Sequence, residues 1–380
     1  RENAQPIVAK YISGQMALAH NGNIVNAAQL RNEMEERGAI FQSTNDTEII
    51  ANLISRYRIS SNSIEETLSK VMKDIRGSYA IVMLTPDMVI GMRDPHGIRP
   101  LCIGKMGNSY ILASESSAID AVGAEFVRDV RPGEIVLIGN DGITSVQTEA
   151  APESKLCIFE FVYFARPDSY IDGASVHRAR MEAGRRLAIE HPVEADLVIG
   201  APDGGLNAAL GYARESGIPY GQGLLKNKYV GRTFIQPSQG LREIGVKIKF
   251  NVIKNEIEGK RVVMIDDSIV RGTTTRRIVQ MLKNAGAKEV HMRVSSPPYR
   301  YPCYFGIDTP STKELVASAN SIDDIKEMIG SDSLGYLSLE GLLKTPVGAK
   351  CGFCTACFDG KYPMEVPAEG NKFSCGGKNQ

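Results

Sequence analysis

Residues 262–265, Val262-Val-Met-Ile, are an unbroken apolar run that stops at two adjacent carboxylates, Asp266 and Asp267. The chain then passes through Ser268-Ile-Val-Arg271 to Gly272-Thr-Thr274, and Ile278, Met281 and Leu282 follow at helical spacing. An apolar run without alternation, followed by a helix, is the pattern of a parallel strand covered on both faces, which commits its neighbourhood to an α/β architecture. Two carboxylates at the carboxyl end of such a strand can hold a ribose diol or a hydrated Mg²⁺. A Gly-Thr-Thr turn at the next helix N-terminus offers N–H groups and hydroxyls to a phosphate. A ligand carrying both a sugar diol and a phosphate answers both features. An acidic turn with a helix cap would explain Thr273, but not the paired aspartates beneath an apolar strand.

The rest of the chain falls into two rhythms. Up to about Gly142, short apolar runs (residues 16–19, 79–84, 88–91, 110–113 and 134–138) alternate with turn signals, and helical patterns intervene at 27–37 and 46–57. Many strands with few helices predict an α+β sandwich. The polar stretch 147–155 reads as a linker. From about Ala174 helices and strands alternate: 176–189 helical, 196–200 a buried strand, the loop Ala201-Pro-Asp-Gly-Gly205, 206–216 helical, the Asp-Asp motif, then 289–295 as another strand. That order predicts a parallel sheet with its ligand at the strand carboxyl ends. The last part is helical to about Ile329, then rich in glycine and cysteine.

A chain of 380 residues exceeds one ordinary core, so two domains are expected. Lys plus Arg total 44, as do Asp plus Glu, which leaves no global charge to favour nucleic acid or an anionic membrane. With no long apolar run and no signal-like opening, a cytoplasmic protein is expected. The chain opens at Arg1 and enters a strand-like run almost at once, as though part-way through a domain, so further residues upstream are expected. Seven cysteines in a leaderless chain argue against a disulfide framework. Cys351, Cys354 and Cys357 stand at metal spacing, and on spacing alone that tail suits zinc or an iron–sulfur cluster.

Several runs in a fixed order resemble one family: Ala19-His-Asn-Gly-Asn23, Ser43-Thr-Asn-Asp-Thr-Glu48, Asp94-Pro-His-Gly-Ile-Arg-Pro100, Cys157-Ile-Phe-Glu-Phe-Val-Tyr-Phe-Ala-Arg166, the Asp-Asp motif, Ser295-Ser-Pro-Pro298 and Cys354-Thr-Ala-Cys357. The chain resembles the amidophosphoribosyltransferases, in their iron–sulfur branch, over nearly its whole length. The resemblance implies an N-terminal nucleophile glutaminase sandwich over residues 1–146, its N-terminal part missing. A type I phosphoribosyltransferase domain would span 156–315, and a helical, Cys-rich tail 316–380. It also implies the first committed step of purine synthesis, in which phosphoribosyl diphosphate (PRPP), glutamine and water give 5-phospho-β-D-ribosylamine, glutamate and pyrophosphate.

Residue by residue, the resemblance makes Asn21 and Gly22 the oxyanion hole, whose amide and backbone N–H donate to the charge developing on the glutamine amide. Asp46 would meet the glutamine α-ammonium. The glutaminase nucleophile, an N-terminal cysteine, is not matched, so ammonia-dependent activity alone is expected of this chain. Asp266 and Asp267 would bind the ribose hydroxyls and Mg²⁺, with Ser268, Val270, Arg271, Gly272, Thr273 and Thr274 around the 5-phosphate. Lys226, Lys228 and Arg232 on a closing loop, with Arg242, Lys247 and Lys249, would face the pyrophosphate. Two departures stand out: Gly204 replaces the usual serine near Mg²⁺, leaving that position without a hydroxyl, and Lys228 replaces a more usual arginine. Cys157, Cys303, Cys354 and Cys357 would hold a [4Fe–4S] cluster, with Cys351 and Cys375 as rival ligands and Cys102 a core residue. Purine nucleotides as inhibitors and a homodimer or homotetramer are implied too. Two rivals are a non-catalytic PRPP-binding regulator of purine genes, which the missing helix-turn-helix opposes, and a salvage transferase acting on a free base.

Overall fold

The computed structural model describes residues 3–148, 150–227, 250–309 and 311–367. Its first half is built on strands β1 (Ile7–Tyr11), β2 (Gly14–Ile24), β3 (Gly77–Leu84), β4 (Val89–Arg93), β5 (Cys102–Met106), β6 (Ser109–Ala113), β7 (Glu125–Asp129), β8 (Glu134–Gly139) and β9 (Gly142–Gln147). Six of these form an antiparallel sheet ordered β1-β2-β3-β4-β8-β9, and three form a second sheet ordered β6-β5-β7. Helices α1 (Ala27–Glu35), α2 (Asp46–Arg58) and α3 (Ile64–Asp74) lie between β2 and β3 in sequence.

The two-residue period of β3 sorts the layers. Ile81 and Met83 join Ile49, Ile50, Leu53, Leu68 and Val71 in the core beneath the helices. Ala80 turns the other way, to Ile103 of the smaller sheet and to Leu101 just before it. Asn45 caps α2 by accepting from Thr47 N–H, and Asp46 and Glu48 sit in its first turn, where acidic groups favour the helix dipole.

The second half carries α5 (Val176–Glu190), β10 (Leu197–Gly200), α6 (Leu206–Ser216), β11 (Arg261–Asp266), α7 (Thr273–Asn284), β12 (Glu289–Val294), α8 (Ile322–Ile329) and β13 (Ser333–Tyr336), after α4 (Ser116–Ala121) in the first half. The four strands are parallel and ordered β10-β11-β12-β13. Val263 and Ile265 of β11 face the core shared with α5 and α6, while Val262 and Met264 face the core shared with α7 and α8. The sheet is therefore covered on both faces, as the apolar run requires. Helices α5 and α6 cross closely: a Cβ on Gly184 would overlap the Ala208 carbonyl, and one on Gly211 the Met181 carbonyl.

The observed architecture is the predicted one, a strand-rich α+β sandwich followed by an α/β parallel sheet. Two elements add to it. Helix α3 was not expected, and β13, from the stretch read as tail, completes the parallel sheet; Ser333-Leu-Gly-Tyr336 is too short and mixed to announce a strand. Among the described residues no helix is long and apolar enough to cross a membrane.

Candidate active site

Asp266 closes β11, and its backbone carbonyl accepts from Ser295 N–H at 2.9 Å, fixing the turn to the end of β12. Asp267 is buried. Its amide donates to Asp266 Oδ1 at 2.9 Å, its Oδ1 accepts from Ser268 Oγ at 2.7 Å, and its carbonyl accepts from Ser296 Oγ at 2.7 Å. Burial pushes the Asp267 carboxyl up to about 6, against the Ser268 hydrogen bond and the field of Arg180. Such a buried carboxylate gains from a cation or a hydroxyl donor.

Beyond it, Gly272 takes φ +75° as N-cap of the twelve-residue α7, and no side chain caps that helix. The amides of its first turn, with exposed Thr273 and Thr274, are therefore placed to receive an anion. The carbonyl of Val270 is used structurally, accepting from Val316 N–H at 2.9 Å. The Arg271 side chain points elsewhere than expected: its Nη2 is 2.6 Å from Glu314 Oε2.

The loop of residues 201–205 sits over the same strand end. A Cβ on Gly205 would overlap the Ile265 carbonyl, and one on Gly204 would overlap Asp267 Oδ2. Lys226 Nζ pairs with Asp203 on this loop. The remaining basic residues expected here, Lys228, Arg232, Arg242, Lys247 and Lys249, lie outside the described residues, as does Cys375.

At the other site, Asn21 and Gly22 lie inside β2, opposite Ala80 and Tyr79 of β3, so they belong to a strand and not to a hairpin turn. Gly22 has φ +150°, and a Cβ there would overlap the Ser78 carbonyl. Asp46 Oδ2 accepts from Ile24 N–H at 3.0 Å, and Oδ1 lies 3.4 Å from His20 Nδ1. Burial opposes its charge, but His20 and the amides of Ile24 and Thr47 prevail and hold it below the usual carboxylate range. A carboxylate kept ionised beside a strand-borne amide suits a zwitterionic amino acid.

The cysteine set comes from three segments knitted by backbone bonds. Cys157 lies in parallel register with Cys354, and the Cys357 carbonyl accepts from Arg300 and Tyr301 N–H at 2.9 and 3.0 Å. Burial raises the thiols of Cys157 and Cys357 well above their ordinary value, and neighbouring cysteines add to it: Cys303 and Cys354 for Cys157, and Cys157, Cys303 and Cys354 for Cys357. Cys351 is different, since its charged neighbours are Asp172, Arg93 and Asp129. Among the described residues no three His, Cys, Asp or Glu side chains are close enough to share one metal ion.

Sequence reasoning passed over the junction residues between these sites. Asn23 Nδ2 donates to the Tyr304 carbonyl at 2.9 Å and Ser78 Oγ to the Phe305 carbonyl at 2.8 Å. The buried Arg99 pairs with Glu160, and Arg180 donates to the carbonyls of Phe161 and Ala165. Arg99 and Glu160 both fall inside runs that carry the family resemblance, and two charges in otherwise apolar surroundings were the available signal.

Fold and site together define a glutamine amidotransferase domain joined to a phosphoribosyltransferase domain. Family models with those descriptions match residues 1–121 and 176–298. The amidophosphoribosyltransferase of Archaeoglobus fulgidus is 54% identical over 97% of this chain and 81% of its own length, and that of Bacillus subtilis 50% identical over 96% and 77%. A solved structure, the B. subtilis glutamine PRPP amidotransferase complexed with ADP and GMP, superposes with a TM-score of 0.90 at 49% identity, covering 97% of this chain and 81% of that one. The chain belongs to the amidophosphoribosyltransferase family, and is thus an enzyme of the pentosyltransferase class.

Proposed function

We propose that this enzyme catalyses the first committed step of purine synthesis, displacing pyrophosphate from PRPP with glutamine-derived nitrogen to form 5-phospho-β-D-ribosylamine. The observation that carries this reading is the β11 turn, where a carboxylate pair, Asp267 buried and Asp266 half-buried, stands beside an uncapped helix N-terminus. A solved relative with TM-score 0.90, described as the allosteric regulatory enzyme of purine biosynthesis, supports the same assignment.

In this reading Asp266 and Asp267 orient the ribose diol, and residues 268–274 receive the 5-phosphate through backbone N–H groups. Lys226, with Lys228, Arg232 and Lys249, brings positive charge to the departing pyrophosphate. Exclusion of water protects an oxocarbenium-like ribosyl centre from hydrolysis. Asp266 and Asp267 would hold Mg²⁺, which supplies charge neutralisation at the pyrophosphate; Gly204 contributes no side-chain ligand. At the glutaminase end, Asn21 and Gly22 stabilise the developing oxyanion and Asp46 holds the α-ammonium.

Cys157, Cys303, Cys354 and Cys357 would hold a [4Fe–4S] cluster that clamps the junction to the C-terminal segment. Purine nucleotides are the proposed feedback inhibitors, in keeping with the relative bound to ADP and GMP. We assign a homodimer or homotetramer in the cytoplasm. The test is a nitrogen-donor panel: PRPP consumption with ammonia, glutamine, adenine, guanine or hypoxanthine. Consumption with ammonia or glutamine, and with none of the nucleobases, is expected; consumption only with a nucleobase would replace this reading by a salvage transferase.

A further inference from the structure

Arg99 stands where the two domains meet. Its residue is 4% exposed, and its Nη1 lies 2.7 Å from Glu160 Oε1. Its Nε is enclosed and has no hydrogen-bond partner among the described residues. The Phe164 ring centroid is 5.7 Å from its Cζ. Gly306 is pressed between Arg99 and the glutaminase strand: a Cβ there would come 2.8 Å from Arg99 Nη2 and 2.9 Å from Gly22 Cα. Arg99, Glu160, Phe164, Gly306 and Asn21 line one cavity of about 260 Å³.

Two observations point away from a simple ion pair. A buried Arg–Glu pair recovers its desolvation only when further charges or hydrogen bonds complete it, and here one guanidinium N–H is left over. Second, the chain places Arg99 against the cysteine segments: Cys157 N–H donates to the carbonyl of Ile98 at 3.0 Å, and Gly306, three residues after Cys303, abuts Arg99 Nη2. The guanidinium therefore stands beside the segments that carry two of the four cysteines.

We propose that Arg99 is the counter-cation of the group held by Cys157, Cys303, Cys354 and Cys357, and the positioning residue that ties it to the wall of the Asn21 cavity. This rests on the [4Fe–4S] reading above. Four thiolates leave such a cluster with net negative charge, and a fixed cation nearby disfavours withdrawal of an electron. Glu160 opposes that effect while it balances Arg99. The two side chains thus act on the cluster with opposite signs.

The test uses the full chain, purified anaerobically, with iron and sulfide content measured first. The visible absorbance of the cluster is then followed during oxidation by ferricyanide. Glu160→Gln leaves the Arg99 charge uncompensated, and should bleach more slowly than wild type. The double variant Arg99→Met/Glu160→Gln differs from it only at position 99, and should bleach faster than Glu160→Gln by about fivefold or more. Structural loosening would speed bleaching in both variants relative to wild type, so the slowing expected of Glu160→Gln separates electrostatics from damage, and a Glu160→Gln variant that bleaches faster than wild type would count against the proposal. Equal rates for the two variants, at normal iron content, would overturn the proposal while leaving the cluster reading intact. A wild-type chain that takes up no iron would remove both.

Discussion

The carboxylate of Asp267 occupies the space that a side chain on Gly204 would need, since a Cβ built there overlaps Asp267 Oδ2. The loop of residues 201–205 and the β11 turn are therefore fitted to each other through a glycine. A serine at 204 would not simply supply a hydroxyl; it would first turn the Asp267 carboxylate aside. Gly204→Ser is expected to raise the KM for PRPP about tenfold or more, the scale of removing one charge-assisted hydrogen bond. Steady-state kinetics at saturating Mg²⁺ checks this, and an unchanged KM would show that Asp267 moves without consequence.

The cysteines give a selective prediction. Cys357→Ser should abolish iron incorporation, because Cys357 is buried among Cys157, Cys303 and Cys354. Cys351→Ser should leave it near the wild-type level, because Cys351 neighbours Asp172, Arg93 and Asp129 instead. Iron analysis after anaerobic purification decides; loss of iron in both variants would move Cys351 into the ligand set.

Glu134 sets an acid limit on the glutaminase half. Its side chain is fully enclosed, with Oε1 and Oε2 accepting from Arg128 at 2.7 and 2.8 Å and Oε2 accepting from Arg131 N–H at 2.8 Å. Burial works against its charge, but these donors prevail and hold the carboxyl down at about 2. A depressed carboxyl contributes stability above its unfolded value of 4.5, and loses it as pH falls toward about 2. Glu134→Gln should cost roughly 1–3 kcal/mol near neutral pH, discounted for the partly exposed Arg128. The gap in melting temperature from wild type should close between about pH 4.5 and 2, whereas a gap constant with pH would assign the loss to packing.

Much of this was legible in the chain because it is local. The Val262–Ile265 run, the Asp266-Asp267 pair and the Gly272 turn lie within a dozen residues, so strand, site and helix start could be read together. Helix α3 had a readable signal that was passed over: Ser63, three residues before Glu66, caps the helix by accepting its N–H at 3.2 Å. The strand position of Asn21 and Gly22 was hidden because Asn-Gly is also a turn signal; only pairing with Ala80 and Tyr79 decides it. The hydrogen bonds of Arg99 with Glu160 and of Ser78 with Phe305 join residues 61 and 227 positions apart. No periodicity reports such a pairing.

The measurement that tests the central claim most directly is ³¹P NMR of PRPP with Mg²⁺ and ammonia, using anaerobic wild-type protein and the Asp267→Asn variant. Pyrophosphate that appears only with ammonia, together with a ribosylamine phosphate, and a rate at least about a hundredfold lower in the variant, is the predicted result. Folded, iron-loaded wild-type protein that leaves PRPP intact with ammonia, or an Asp267→Asn variant as fast as wild type, would contradict the assignment of ribosyl transfer to the β11 turn.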